Sequence, residues 1–241
     1  MKRLFVGLIS LCGAVLLTAC GSSGSTFALI GVPAQNSYTD SANFLIVGNS
    51  CNYYTYRGDG TNPPEVGVGC TVLQDKKNAL GAPHSYLEIG FNTPKGQQTL
   101  TLRQFGNNTL VASSIPDIGM YVPSNWQVAT PASDMILNST AAASVYSGLA
   151  VHISGVRCLL TVTPVADNQP VSMPCGLTYW SSSSISVAIP GSLISTAYAQ
   201  VSATLNFIQD AQKPGTWNLA RPPYGFQGFP ASYKQAAGSG G

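Results

Sequence analysis

Apolar and polar residues alternate with a period of two along most of the chain. In 99–105, Leu100 and Leu102 fall on one side and Thr101 and Arg103 on the other; in 197–208, Val201, Ala203, Leu205 and Phe207 share a side. That period predicts half-buried β-strands. Read in this way, strands occupy 44–47, 51–56, 66–73, 86–91, 99–105, 110–112, 149–153, 158–163, 177–180, 185–189 and 197–208. Turn-forming clusters separate them, among them Gly48-Asn49, Asp59-Gly60-Thr61-Asn62-Pro63-Pro64 and Pro190-Gly191. Three stretches depart from the pattern. Residues 113–127, with Pro116, Pro123 and Trp126, read as a connector. Residues 133–145, with Asp134 as a cap and several alanines, predict a short helix. Residues 213–241 carry Pro214, Pro222, Pro223 and Pro230 among glycines and aromatics, show no period, and read as an irregular tail.

Two passages are alike. Gly48-Asn49-Ser50-Cys51 and Gly155-Val156-Arg157-Cys158 each follow an apolar strand, and a second cysteine follows after 19 residues in one case and 17 in the other. Downstream, 87–90 aligns with 186–189 and 99–105 with 201–207. The spacing predicts two related β modules of about 100 residues, the size of a β-sandwich domain. The expected fold is all-β: a disulfide-stapled β-sandwich, arranged as tandem Ig-like modules over 27–125 and 126–212, with the irregular tail after them.

The N-terminus changes the picture. Lys2 and Arg3 precede a continuous apolar run over 4–17. It is too short to span a hydrocarbon layer of roughly 30 Å, and with small residues after it, 1–19 reads as a secretory signal peptide. The exit Leu17-Thr18-Ala19-Cys20 resembles the lipobox of bacterial lipoproteins. The resemblance implies cleavage before Cys20, acylation of its sulfur (palmitate or a similar chain) and of the freed amine, and, because Gly21 rather than aspartate follows, sorting to the outer membrane. Each buried CH₂ contributes about 0.8 kcal/mol, so two or more chains anchor stably. The membrane is therefore an expected partner, with the periplasmic and surface faces both open. Residues 20–26, containing Gly-Ser-Ser-Gly-Ser, read as a flexible tether.

An exported chain folds where disulfides persist. Beyond Cys12 and Cys20 there remain Cys51, Cys70, Cys158 and Cys175, which allow three pairings. Short loops around predicted hairpins favour Cys51–Cys70 and Cys158–Cys175. Metal sites usually show close pairs such as C-x₂-C; none is present, so neither metal nor cofactor is expected. Charged residues make up only 8% of the chain, against about 25% in typical soluble domains. With Lys2 and Arg3 in the signal, the remaining basic residues equal the 9 acidic ones. There is no basic patch, which speaks against nucleic acid as a partner.

Candidate chemistry is sparse. His84 beside Ser85 offers a hydrolase alternative, without a Gly-x-Ser-x-Gly elbow to support it. His152 lies in an alternating strand, where a structural role is the default. Glu65 and Glu88 are the only glutamates, and nothing places them together. Arg57-Gly58-Asp59 reads as an ordinary turn. No catalytic residue is expected. Candidate binding residues are Tyr54 and Tyr56, which offer stacking surfaces for sugar rings, and Trp217, Tyr224 and Phe226 in the tail. The reading is a non-enzymatic outer-membrane lipoprotein, a structural or binding component of the cell envelope such as a subunit of a secretion or pilus-type assembly, with envelope proteins as partners. A surface carbohydrate-binding or adhesion module is the alternative, with polysaccharide as the partner.

Overall fold

A computed structural model describes residues 26–32, 41–57, 65–76, 86–106 and 108–237. The stretches read as signal peptide and, up to Ser25, as tether, together with Asp59, His84 and Ser85, lie outside the described residues. The described body is all-β, with short 3₁₀ turns and no α-helix. Its first half runs β1 (Thr26–Val32), β2 (Ser41–Val47), β3 (Ser50–Tyr56), β4 (Glu65–Lys76), β5 (Tyr86–Thr93), β6 (Gly96–Gln104), β7 (Thr109–Ser114) and β8 (Asn125–Ala129). The second runs β9 (Ala132–Ser139), β10 (Tyr146–Gly155), β11 (Arg157–Pro164), β12 (Val171–Trp180), β13 (Ser184–Pro190), β14 (Ser202–Gln209), β15 (Thr216–Arg221) and β16 (Ser232–Ala237).

In each half every strand pairs with its sequence neighbours, and the last strand pairs with the first. β8 closes on β1, with Gly31 opposite Trp126, and β16 closes on β9, with Ser139 opposite Tyr233. The body is therefore two closed eight-stranded barrels, not Ig-like sandwiches. Inward-facing side chains alternate in both architectures, so the pattern that predicted strands did not distinguish them. Three further expectations are corrected. The stretch expected as a helix holds β9, because Met135 and Leu137 alternate into the barrel. The stretch read as a connector holds β8. The apparent tail supplies β15 and β16, so residues up to Ala237 belong to the second barrel, and the boundary between barrels falls after Ala129.

Both barrel interiors are filled. Phe44 lies 4.6 Å from Tyr53 and 5.0 Å from Trp126, centroid to centroid. Phe207 meets Tyr233 edge-on at 4.9 Å. Burial pushes the Tyr53 and Tyr233 phenols far above the ordinary tyrosine range.

The two barrels repeat one plan. Each disulfide joins the third and fourth strands of its barrel as direct cross-strand partners: Cys51–Cys70 on β3 and β4, Cys158–Cys175 on β11 and β12. Each third strand is entered through a two-residue hairpin whose first residue is a glycine at positive φ, Gly48 at 61° and Gly155 at 63°. Tight hairpins of this kind need that conformation, and glycine reaches it without steric cost. Near the closing strand, Trp126 Nε1 donates to the Pro123 carbonyl at 2.9 Å, and the Tyr233 hydroxyl donates to the Pro230 carbonyl at 2.8 Å. A Pro-x-x-aromatic plug thus recurs at one place in both barrels. The frame of the downstream match differs from the sequence reading. Gly90 faces Thr71 where Ala188 faces Gly176, so Leu87 and Ile89 correspond to Ile185 and Val187. A slip of one residue exchanges the two faces of a strand. Likewise Leu100 and Leu102 correspond to Leu205 and Phe207.

The barrels pack side against side, with β12 lying across β1, β2 and β3. This covers the outer face of the first three strands. Ile30 points out of its own barrel into the second apolar core. Asn43, almost fully buried, donates from Nδ2 to the Leu177 carbonyl at 3.0 Å across the seam. Gly176 lies against Ser41 and the Tyr56 ring.

Candidate binding surfaces

Three places on the outer surface combine shape with chemistry. The first is a cleft of about 700 Å³ where the barrels join. The start of β1 (Thr26, Phe27), the end of β8 with the linker to β9, and the β12–β13 loop form its walls. Trp180 stands at the end of β12, half-buried against the second core. The loop after it is fixed by the Ser181 hydroxyl, which accepts from the Ser184 amide at 3.0 Å and donates to the Ser184 carbonyl at 3.2 Å. Gln127 and Ser133 reach the cleft from β8 and β9, and Asn108 from the β6–β7 turn, where it holds φ at 57°.

The second place is a recess of about 240 Å³ on the second barrel, lined by His152 and Ser154 on β10 and by Arg157, Cys158 and Leu159 on β11. His152 Nε2 and Asp134 Oδ1 lie 2.5 Å apart on the outer face of β9 and β10. Two residues further along β10, Ser154 is the cross-strand partner of Arg157 on β11. The Arg157 guanidinium sits 5.7 Å from the centre of the Tyr54 ring on the first barrel, which ties this recess to the seam through a cation–π contact.

The third place is the loop-rich end of the second barrel, opposite the Ser181 loop. Tyr224 is 59% exposed and holds φ at 51°, a left-handed conformation that is strained for a bulky side chain. It stacks on Tyr198 at 4.4 Å, nearly parallel, and its hydroxyl reaches the Ser202 carbonyl at 3.4 Å. Phe226 lies edge-on to Phe229 at 5.0 Å, half-buried. Tyr146 beneath them is raised above the ordinary tyrosine range by burial.

The residues expected to bind are thus divided. Tyr224 and Phe226 stand together at one end. Tyr54 is half-covered by Arg157, Tyr56 is 2% exposed beneath the second barrel, and Trp217 is 2% exposed with its Nε1 donating to Gln235 Oε1 at 3.1 Å. Tyr56 and Trp217 are packing residues. Tyr54 and Tyr56 share one face of β3, but a face covered by a second domain reads in sequence like a face exposed to solvent. The cleft residues escaped sequence reading because they come from four separate elements. The one local signal was Trp180 followed by a run of four serines, an aromatic beside a polar loop. Among the described residues no three His, Cys, Asp or Glu side chains are grouped to hold a metal. Comparison with models of known protein families, with curated proteins and with solved structures finds no match.

Proposed function

We propose that this chain is a lipid-anchored, non-enzymatic binding component of the bacterial cell envelope, held at the outer membrane through Cys20. The observation that carries the binding part is that both lumens are filled by their own side chains, Phe44, Tyr53 and Trp126 in one barrel and Phe207, Trp217 and Tyr233 in the other. A small eight-stranded barrel either fills its interior or holds a ligand there, so recognition falls to the outer surface and to the cleft along the seam. The anchor rests on Leu17-Thr18-Ala19-Cys20 and the Gly/Ser tether. Every strand of both barrels is paired on both sides, so an envelope protein partner meets side chains and loops, not an open strand edge. The exposed Tyr198–Tyr224 end is the region best suited to such a partner, because large aromatic surfaces are enriched where proteins dock.

The test is mass spectrometry of the membrane-extracted protein, intact and after proteolysis. The expected N-terminus is an acylated Cys20, and Cys20→Ser shifts the protein from the membrane to the soluble fraction. An unmodified N-terminal amine, or membrane retention unchanged by Cys20→Ser, overturns the anchor.

A further inference from the structure

We propose that the cleft between the barrels binds a neutral glycan chain. The inference rests on the binding reading above and gives it a ligand class. None of the described residues lining the cleft is charged. Its polar groups are amides and hydroxyls, and among the described residues the side chains of Asn108, Gln127 and Ser133 have no hydrogen-bond partner. Amides offer both donors and acceptors, and hydroxyls do the same. That matches the hydroxyls of a sugar ring, which need both roles at once. Trp180 supplies the complementary feature, a half-buried indole held by the second core. An aromatic face packs against the C–H face of a pyranose and keeps its N–H for a polar partner. The cleft is an open trough within the usual volume of a ligand site, which suits a length of chain. An anionic polymer would find no cation in it, and an extended peptide would find no unpaired strand to join.

The three tryptophans make the test selective. Trp126 and Trp217 are buried, so a soluble quencher reaches chiefly Trp180. Full-length protein in a sugar-free zwitterionic detergent is titrated with chitohexaose, cellohexaose and maltohexaose, and acrylamide quenching is followed. The expected result is that at least one hexasaccharide, at millimolar concentration, saturably reduces quenching towards the level of the buried indoles. Polygalacturonate does not. Gln127→Ala weakens the protecting sugar about fivefold, the loss of roughly one hydrogen bond, while the far-UV spectrum and the melting temperature stay those of the parent. Absence of protection by all three neutral hexasaccharides overturns the proposal. So does protection that survives unchanged in the Asn108→Ala, Gln127→Ala double variant. Neither result touches the acylation of Cys20, so the glycan inference falls separately from the anchored-binder reading.

Discussion

Replacing Gly176 by alanine puts a methyl group into the seam between the barrels. Its carbon would lie 2.8 Å from Ser41 Cβ and 2.8 Å from Tyr56 Cδ1, with the Ser41 hydroxyl closer still. Non-bonded carbons sit best at about 3.5–4.0 Å, so the two surfaces must part by roughly an ångström. Ser41 and Tyr56 are both 2% exposed, which leaves neither side chain room to swing away. Overpacking of this kind costs about 1–3 kcal/mol. A chain of this size loses about 2–4 °C of melting temperature per kcal/mol, so a cost near 2 kcal/mol lowers the midpoint by about 4–8 °C. Calorimetry with both disulfides intact measures it. Gly69→Ala is the control, because a methyl group there meets nothing within 4 Å, and trading a strand glycine for alanine without a clash is neutral or mildly stabilising. Ser41→Gly removes two of the three clashing atoms, so the Gly176→Ala, Ser41→Gly pair should recover at least about 1 kcal/mol relative to additivity. If Gly176→Ala melts with the parent and with Gly69→Ala, the barrels are not packed through this seam.

Three further expectations follow from the same geometry. Replacing Cys158 and Cys175 by alanine frees a 17-residue separation and should cost about 3 kcal/mol in denaturant titration, with a similar loss for Cys51 and Cys70; cross-linked peptides from unreduced protein should carry these two pairs and no other. Tyr233→Phe leaves the Pro230 carbonyl without its donor and should cost about 1–2 kcal/mol, whereas Tyr224→Phe, at an exposed site with a longer bond, should stay within about 0.5 kcal/mol; urea midpoints compare them. In a spectrophotometric alkaline titration, Tyr53 and Tyr233 should ionise only as the protein unfolds. Their folded values are raised, so the stability they contribute is complete below the ordinary tyrosine value of about 10 and falls as the pH rises past it; two phenols titrating normally in folded protein would contradict the filled lumens.

Much of the strand pattern is legible in the sequence because it is local. Leu100 and Leu102 alternate with Thr101 and Arg103, and the lumen takes the first pair. The pairing of Cys51 with Cys70 and of Cys158 with Cys175 follows from short hairpins. What was not legible depends on distant partners. β8 is five residues long and β16 six; each becomes a strand by pairing with the first strand of its barrel, and the prolines just before them, Pro123 and Pro230, advertise turns. Closure itself is such a pairing, which is why alternation could not separate barrel from sandwich. The buried outer faces of β1 and β2 explain why Ala28-Leu29-Ile30 and Phe44-Leu45-Ile46 read as unbroken apolar runs: both sides of these strands are covered. The cleft is the least legible part, since its polar side chains come from four stretches far apart in sequence, at Thr26, Asn108, 127–133 and 181–182. With only 8% of residues charged, the chain has few of the lysines that guard open sheets; closing both barrels removes the need for them.

The cleft opens beside Thr26, where the described body begins. Six residue steps separate Thr26 from Cys20, and an extended chain advances at most about 3.6 Å per residue. With Cys20 acylated, the mouth of the cleft is leashed within roughly 20 Å of the bilayer, at the extended limit. Capture is then confined to a thin layer over the lipid. A polymer in the open compartment passes unseen, while one lying along the membrane meets the protein at a local concentration set by the leash. The short tether would thus act as a depth selector, sorting ligands by where they lie before the cleft sorts them by what they are.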